Sequence, residues 1–325
     1  MNRSAPRSID QYLRQLREEL AGADGALIQD ALYDAEEYLR AEVAAHPDKS
    51  ESDVLELIAS TYGAPDEVAS AYRDTEVKVK AAMTTPRKQP KTPLGRFFGV
   101  FLDSRSYTSL FFMLLSLATG VIYFVFAVTG LALSAGFAVL IIGVPFFLMF
   151  VAVSRVVSLA EGRLIEAMTG ERMPRRPVYQ GKAAGFWARI VDMLKDRRTW
   201  TTIAYFILML PIGIAYFVTA VVGLSVSLAF IFAPIGHTLS RAGVFGPGGI
   251  YITAPGTAQW LVESVFFLPL LMLVGILLLT SLMHLARGVG RLHAMFAKAL
   301  LVTGVAPPAA AAAVETPAPA GVHQH

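Results

Sequence analysis

Apolar residues along this chain fall into two regimes. Up to about residue 76 they recur at helical spacing among charged positions, and from residue 94 onward they run together in long blocks. In the first regime Ile9, Tyr12, Leu13, Leu16 and Leu20 share one helix face, and Ser8 with Gln11 fits a capping box at its start. Gly22 and Gly25 break that helix. A second helix is predicted over 24–46, with Ile28, Ala31, Leu32, Ala35, Leu39 and Val43 on its apolar face. Asp30, Asp34, Glu36, Glu37 and Glu42 lie mostly off that face. Ser50 with Asp53 marks a short third helix carrying Val54, Leu57, Ile58 and Tyr62. Gly63 suits a left-handed cap, and Pro65 the first position of a fourth helix, whose positive end favours Asp66 and Glu67. Val68, Ala69 and Tyr72 give that helix an apolar side.

In the second regime four spans are predicted, over 109–129, 131–153, 203–222 and 260–285. About twenty apolar residues suffice to cross the hydrocarbon layer. Gly143 and Pro145 interrupt and bend the second span, and Pro211 and Gly213 lie inside the third. Leu224 to Gly236 is too short to cross by itself, and residues 224–259 read as a non-cytoplasmic excursion. Its first part re-enters or lies on the membrane, and 237–259 is a folded loop in which Gly249 to Thr253 is a candidate strand. Leu94 to Leu102, with Phe97, Phe98 and Phe101, forms a short helix that is either interfacial or a buried contact. Residues 187–195 are its counterpart.

The membrane part repeats itself. Tyr123 to Leu131 reads YFVFAVTGL and Tyr216 to Leu224 reads YFVTAVVGL, an offset of 93. At the same offset Asp103 and Arg105 match Asp196 and Arg198, Gly120 matches Gly213, Gly130 matches Gly223, and Gly143 matches Gly236. The second copy then carries an insertion of about forty residues, at a looser register. Gly130 and Gly223 are expected at turns between a span and its outer continuation, either for a positive φ or for close helix approach.

Charge divides the chain in the same place. Residues 1–76 hold 17 acids and 7 bases, and the remainder holds 8 acids and 21 bases. The acidic part is therefore expected to be a separate cytoplasmic helical domain (1–76), its carboxylates forming a solvated surface or a face for a basic partner. A basic, proline-punctuated linker (77–93) follows, lying near anionic lipid headgroups. Membrane hairpins over 94–186 and 187–304 come next, and an alanine- and proline-rich tail (305–325) is expected to be disordered. Lysine and arginine flank the predicted spans on one side, while the opposite loops hold only Arg241. Positive-inside then puts both termini and the central loop in the cytoplasm, so the repeat is parallel. No cleavable signal peptide is read at the start, and the chain has no cysteine for a disulfide or a thiolate site.

Two family resemblances accompany these patterns. The series YLRQLREEL, the acidic second helix and YGAPDEVASAY resemble the HAAS domain over roughly residues 8–76. That resemblance implies a helical signalling module, often encoded beside PadR-type transcriptional regulators, with no catalytic residues. The tyrosine-phenylalanine pair, the Val-x-Gly-Leu connection and the apolar run reaching Ile-Gly resemble the “Putative sensor” domain of bacterial membrane signalling proteins, over about 94–304. That module often precedes a histidine kinase, which implies a kinase or a regulator as partner. No catalytic domain is read after Gly304, which argues against autonomous phosphotransfer.

Candidate chemistry is sparse. His284 and His293 stand nine residues apart at the end of the last span with no acid nearby in sequence, a poor metal pair. His237 is a candidate pH-sensing loop residue, and Glu263 a candidate acid near the interface. Asp103 with Arg105 and Asp196 with Arg198 read as helix caps and headgroup contacts. Gly246 to Gly249 lacks the flanking strand and helix of a phosphate loop. No nucleophile–base pair or cofactor motif stands out, so no enzyme, cofactor or metal is expected. The expected fold is an all-α membrane protein: a small cytoplasmic helical domain plus four transmembrane helices in two parallel-repeat hairpins, in a bacterial inner membrane. The expected function is non-enzymatic sensing, passed to a cytoplasmic regulator, with membrane lipids and a second copy of the chain as further partners. The alternatives are a small transporter, which the lack of polar residues in the spans weakens, and a lipid-binding scaffold.

Overall fold

A computed structural model describes residues 5–83, 92–137, 143–176, 191, 195–246, 248–256 and 259–302. These fall into two compact units: residues up to 83 together with Met173–Arg176, and the remaining described residues from 92 to 301. Among the described residues every regular element is a helix and no strand forms.

The first unit holds α1 (Ile9–Glu19), α2 (Gly25–Ala45), α3 (Glu51–Ala59) and α4 (Pro65–Met83). Local chemistry sets each start. The Ser8 hydroxyl accepts from the Gln11 amide at 3.2 Å, and Asp24 and Ser50 cap α2 and α3 in the same way. The Gln11 side chain accepts from the Arg7 amide at 3.0 Å, one residue short of the capping-box partner. Gly63 has φ +103° before Pro65 opens α4, and the Glu67 carboxylate accepts from the Ala64 amide at 3.0 Å. Tyr12, Leu16, Leu20, Ala35, Leu39, Val54, Ile58 and Val68 meet in one core. The Tyr12 hydroxyl donates to the Gly63 carbonyl at 2.9 Å, which ties α1 to the turn before α4. The Tyr72 hydroxyl of α4 donates to Asp34 of α2 at 2.9 Å. Burial, and then that bond, hold the Tyr72 phenol above its ordinary range, so it remains a donor. Because four helices supply one another's apolar cover, residues 1–86 expressed alone are expected to give a helical circular dichroism spectrum. A random-coil spectrum would show that this unit needs the rest of the chain to fold.

The second unit opens with α5 (Pro93–Phe98) and a 3-10 turn (Gly99–Leu102). Four long helices follow: α6 (Ser104–Gly136), α7 (Gly143–Thr169), α8 (Arg197–Arg241) and α10 (Phe267–Leu301), with the short α9 (Gln259–Glu263) before the last. All four are long and apolar enough to cross a membrane, so the chain is an all-α membrane protein.

Several boundaries differ from the sequence reading. The fourth helix continues past residue 76 to Met83, so the linker does not begin at 77. The second span does not begin at 131, since α6 runs on to Gly136; residues 138–142 lie outside the described residues, and Pro145 falls in the first described turn of α7. Residues 224–236 form no separate element. They lie in the C-terminal half of α8, which runs through Pro211 and Pro234 without a break. Gly249 to Thr253 form no strand. The last span begins at Phe267 rather than near Trp260, and Glu263 ends α9 in front of it. Residues 84–91 of the linker, most of 187–195 and the 305–325 tail lie outside the described residues.

Glycines decide how closely α6 and α8 cross. A β-carbon at Gly120 would overlap the Met209 carbonyl oxygen, and one at Gly213 would overlap the Ser116 carbonyl oxygen. The two contacts mirror each other, since Ser116 and Met209 share the 93-residue offset of the glycines. Small residues admit such backbone approach in a lipid-embedded pair. Gly130 and Gly223 lie inside helices without positive φ, so the expected turns are absent. Gly130 faces the Phe150 ring of α7, and a β-carbon at Gly223 would stand 2.8 Å from a Leu282 methyl of α10.

Candidate functional site

Each of the four long helices contributes one residue to a buried polar cluster. Glu161 of α7 is 1% exposed, and Tyr205 of α8 and His293 of α10 are fully enclosed. The Tyr123 hydroxyl of α6 donates to one Glu161 oxygen at 2.6 Å, and the Tyr205 hydroxyl donates to the other at 2.8 Å. His293 Nε2 lies 3.1 Å from the Tyr205 oxygen.

Hydrogen-bond arithmetic orders these groups. Each phenol has one proton, and both phenols donate theirs to Glu161. Once the Tyr205 proton points at Glu161, its oxygen is left to accept from His293 Nε2–H. The chain then runs from imidazole through phenol to carboxylate, with Tyr123 as a second donor. That tautomer leaves His293 Nδ1 as a bare acceptor, and this buried nitrogen has no hydrogen-bond partner among the described residues. Aromatic rings close the surroundings: Phe112 at 4.8 Å, Tyr216 at 5.8 Å and Phe296 at 6.1 Å from the imidazole. An ionisable group enclosed within spanning helices is a functional candidate, because burying it costs free energy that packing alone would avoid.

The cluster corrects the reading that the spans lack polar residues. It was missed because the second span was ended at Val153, which put Glu161 in a loop. The signal was present in the spacing. Val151, Ser154, Ser158, Glu161 and Ile165 fall on one helical face, and all are buried. His293 was set aside for want of a nearby acid in sequence, yet the fold brings Glu161 to it through Tyr205. Tyr123 was singled out only as a repeat position. Among the described residues no group of three histidines and acids could hold a metal ion.

The other singled-out residues lie elsewhere. His237 belongs to α8 rather than to a loop, and its Nδ1 accepts from the Ile252 amide at 2.9 Å. It thereby pins the segment after α8 back onto that helix, and Ile250 seats its side chain 2.8 Å from where a β-carbon on Gly236 would be. Glu263 is exposed. Gly143 is buried as the first residue of α7. Asp103 caps α6 by accepting from the Arg105 amide at 3.2 Å, and Asp196 caps α8 by accepting from the Arg198 amide at 3.0 Å. Their second oxygens reach Arg287 at 2.7 Å and Arg155 at 3.3 Å. His284 Nε2 lies 2.9 Å from the Phe97 carbonyl, and the two rings stack, so the turn after the linker rests on α10.

A family model described as “Putative sensor” matches residues 112–301. No curated protein and no solved structure matches the chain.

Proposed function

This chain belongs to the “Putative sensor” family, and from that membership we propose that it is a non-enzymatic membrane sensor that relays a membrane or extracytoplasmic stimulus to a cytoplasmic regulator. The observation that carries the mechanism is the Glu161 cluster. It draws one group from each long helix. Relative movement of any of these helices breaks a hydrogen bond inside an enclosed site, so the bundle prefers discrete arrangements over gradual deformation. A stimulus acts by binding one arrangement better than the other.

Further parts of the reading belong with it. The membrane half is a duplicated hairpin, supported by the 93-residue offset and by the mirrored contacts of Gly120 and Gly213. The first unit is a HAAS-like output module, supported by its four-helix core and its YGAPDEVASAY turn. The protein sits in a bacterial inner membrane with both termini cytoplasmic, and its target is a PadR-type regulator or a histidine kinase. Reporter fusions after Gly304 are expected to read as cytoplasmic and fusions within Phe245–Gly256 as external. A cytoplasmic signal from the second set would overturn the topology.

The absence of cysteine makes the switching test direct, because introduced thiols are unique. Spin labels at Val121→Cys and Leu277→Cys, both exposed on their helices, report the distance between α6 and α10 in nanodiscs. Glu161→Gln is expected to change the populations of that distance and the recovery of a cytoplasmic protein by the full-length chain from lysate. One unaltered distance together with unaltered recovery would sink the sensor mechanism.

A further inference from the structure

Beyond α7 the chain turns at Gly170, with φ +74°, and enters the first unit as Met173-Pro174-Arg175-Arg176. This segment has no regular secondary structure, yet Met173 is 1% exposed and Pro174 is buried. It lies on the face of α2 that carries Gln29, Asp30, Tyr33 and Asp34. One Asp30 oxygen accepts from two consecutive amides, Arg175 at 2.8 Å and Arg176 at 2.9 Å. The Gln29 side chain donates to the Arg176 carbonyl at 2.6 Å. The Arg176 guanidinium stands 2.9 Å from Asp34 and 5.6 Å over the Tyr33 ring. Asp30 and Gln29 are themselves only 5% and 7% exposed, so these are enclosed groups aimed at a strip of main chain.

Such a division of labour is that of a peptide site. Three bonds go to backbone atoms and ask only for a short irregular stretch whose two consecutive amides converge on one oxygen. One charge pair with an aromatic ring beside it asks for arginine at the second of the two amide-donating residues. We infer that this face of α2 is a binding site for a short, arginine-bearing peptide, and that Met173–Arg176 is its internal occupant. A partner that uses the site must displace that segment. Three residues, Gly170 to Arg172, join the segment to α7, and release of the segment presents the acidic face. Binding can be measured without any stimulus, so the inference stands or falls separately from the sensor reading.

The probe is an acetylated, amidated peptide of residues 171–176, added in excess to the full-length native chain in detergent. Hydrogen exchange at the Arg175 and Arg176 amides is the readout. Displacement is expected to raise their exchange severalfold, while a peptide with glutamate in place of Arg176 leaves them unchanged. Unchanged exchange with both peptides would make the segment a fixed tether and overturn the inference, and so would an equal increase with both. A second arm uses the Arg176→Glu chain, or Arg176→Ala if the first does not fold, and a fluorescent form of the native peptide. Binding to the variant is expected to be about tenfold tighter than to the native chain, since each 1.4 kcal/mol of lost self-occupancy gives that factor. Asp30→Ala in the same background is expected to remove it. Equal binding with and without Asp30 would also refute the site.

Discussion

Gly213→Ala is expected to cut the folded yield of the bundle severalfold, and Gly213→Val to abolish it. The reason is what a β-carbon meets there. At Gly213 it meets the Ser116 carbonyl oxygen, a backbone atom of α6 that no rotamer change can move. The helices must separate or the site must stay strained. Overpacking of this kind costs about 1–3 kcal/mol in a well-packed core, and more where backbone must shift. Gly120→Ala and Gly120→Val should behave alike, because that β-carbon meets the Met209 carbonyl. Gly223→Ala is the control. Its nearest neighbour is the end of the Leu282 side chain at 2.8 Å, which can turn away, so alanine there is expected to be tolerated and valine to be costly. A positive-φ explanation predicts no such ordering, and neither glycine of the crossing has a positive φ. Size-exclusion yield and thermal unfolding in detergent measure the series. Gly213→Val at native yield would refute the close-crossing account of α6 and α8.

The second large effect is at the polar cluster. Glu161→Ala removes the acceptor of two phenols at once and leaves a void among enclosed side chains. Each stranded donor costs about 1–3 kcal/mol. The expected loss is therefore about 3 kcal/mol, less whatever the phenols recover from new partners, since polar contacts between membrane helices average lower. Glu161→Gln keeps the shape and an acceptor oxygen but adds two donors, so its loss should be smaller. Replacing all four groups together, by Glu161→Met with Tyr123→Phe, Tyr205→Phe and His293→Leu, removes every polar side chain of the cluster. That variant should regain stability, because well-packed apolar substitutes for a buried polar network are often neutral or better. It should also lose the two-arrangement behaviour of the spin labels if the cluster is a switch and keep it if the cluster is only packing. Unfolding in mixed micelles gives the energies. A Glu161→Ala chain as stable as the native one would show that the carboxylate does not hold the four helices together.

Much of this molecule can be read locally. Ser8, Asp24 and Ser50 start helices because a side-chain oxygen reaches an amide two or three residues on. Gly63 and Pro65 separate α3 from α4 through their own backbone preferences. The four long helices are announced by composition, since only a membrane accepts such runs. Even the caps at Asp103 and Asp196 follow from short-range chemistry.

Tertiary structure decided the rest, and the physical reason is the same in each case: the energy lies in contacts between residues distant in sequence. Gly223 and Pro234 look like breaks by local propensity, yet α8 continues through both because neighbouring helices supply the packing and the membrane leaves the backbone no other partner. Glu161 looks like a loop acid, because its burial depends on Tyr123 and Tyr205 arriving from two other helices. Asp30 and Asp34 look like surface charge, because only the fold lays Met173–Arg176 across them. By itself, the sequence determined the membrane half, the acidic helical half and the places where the helices of the acidic half begin. Which buried charges find partners, and which glycines separate two backbones, was decided only when the helices packed.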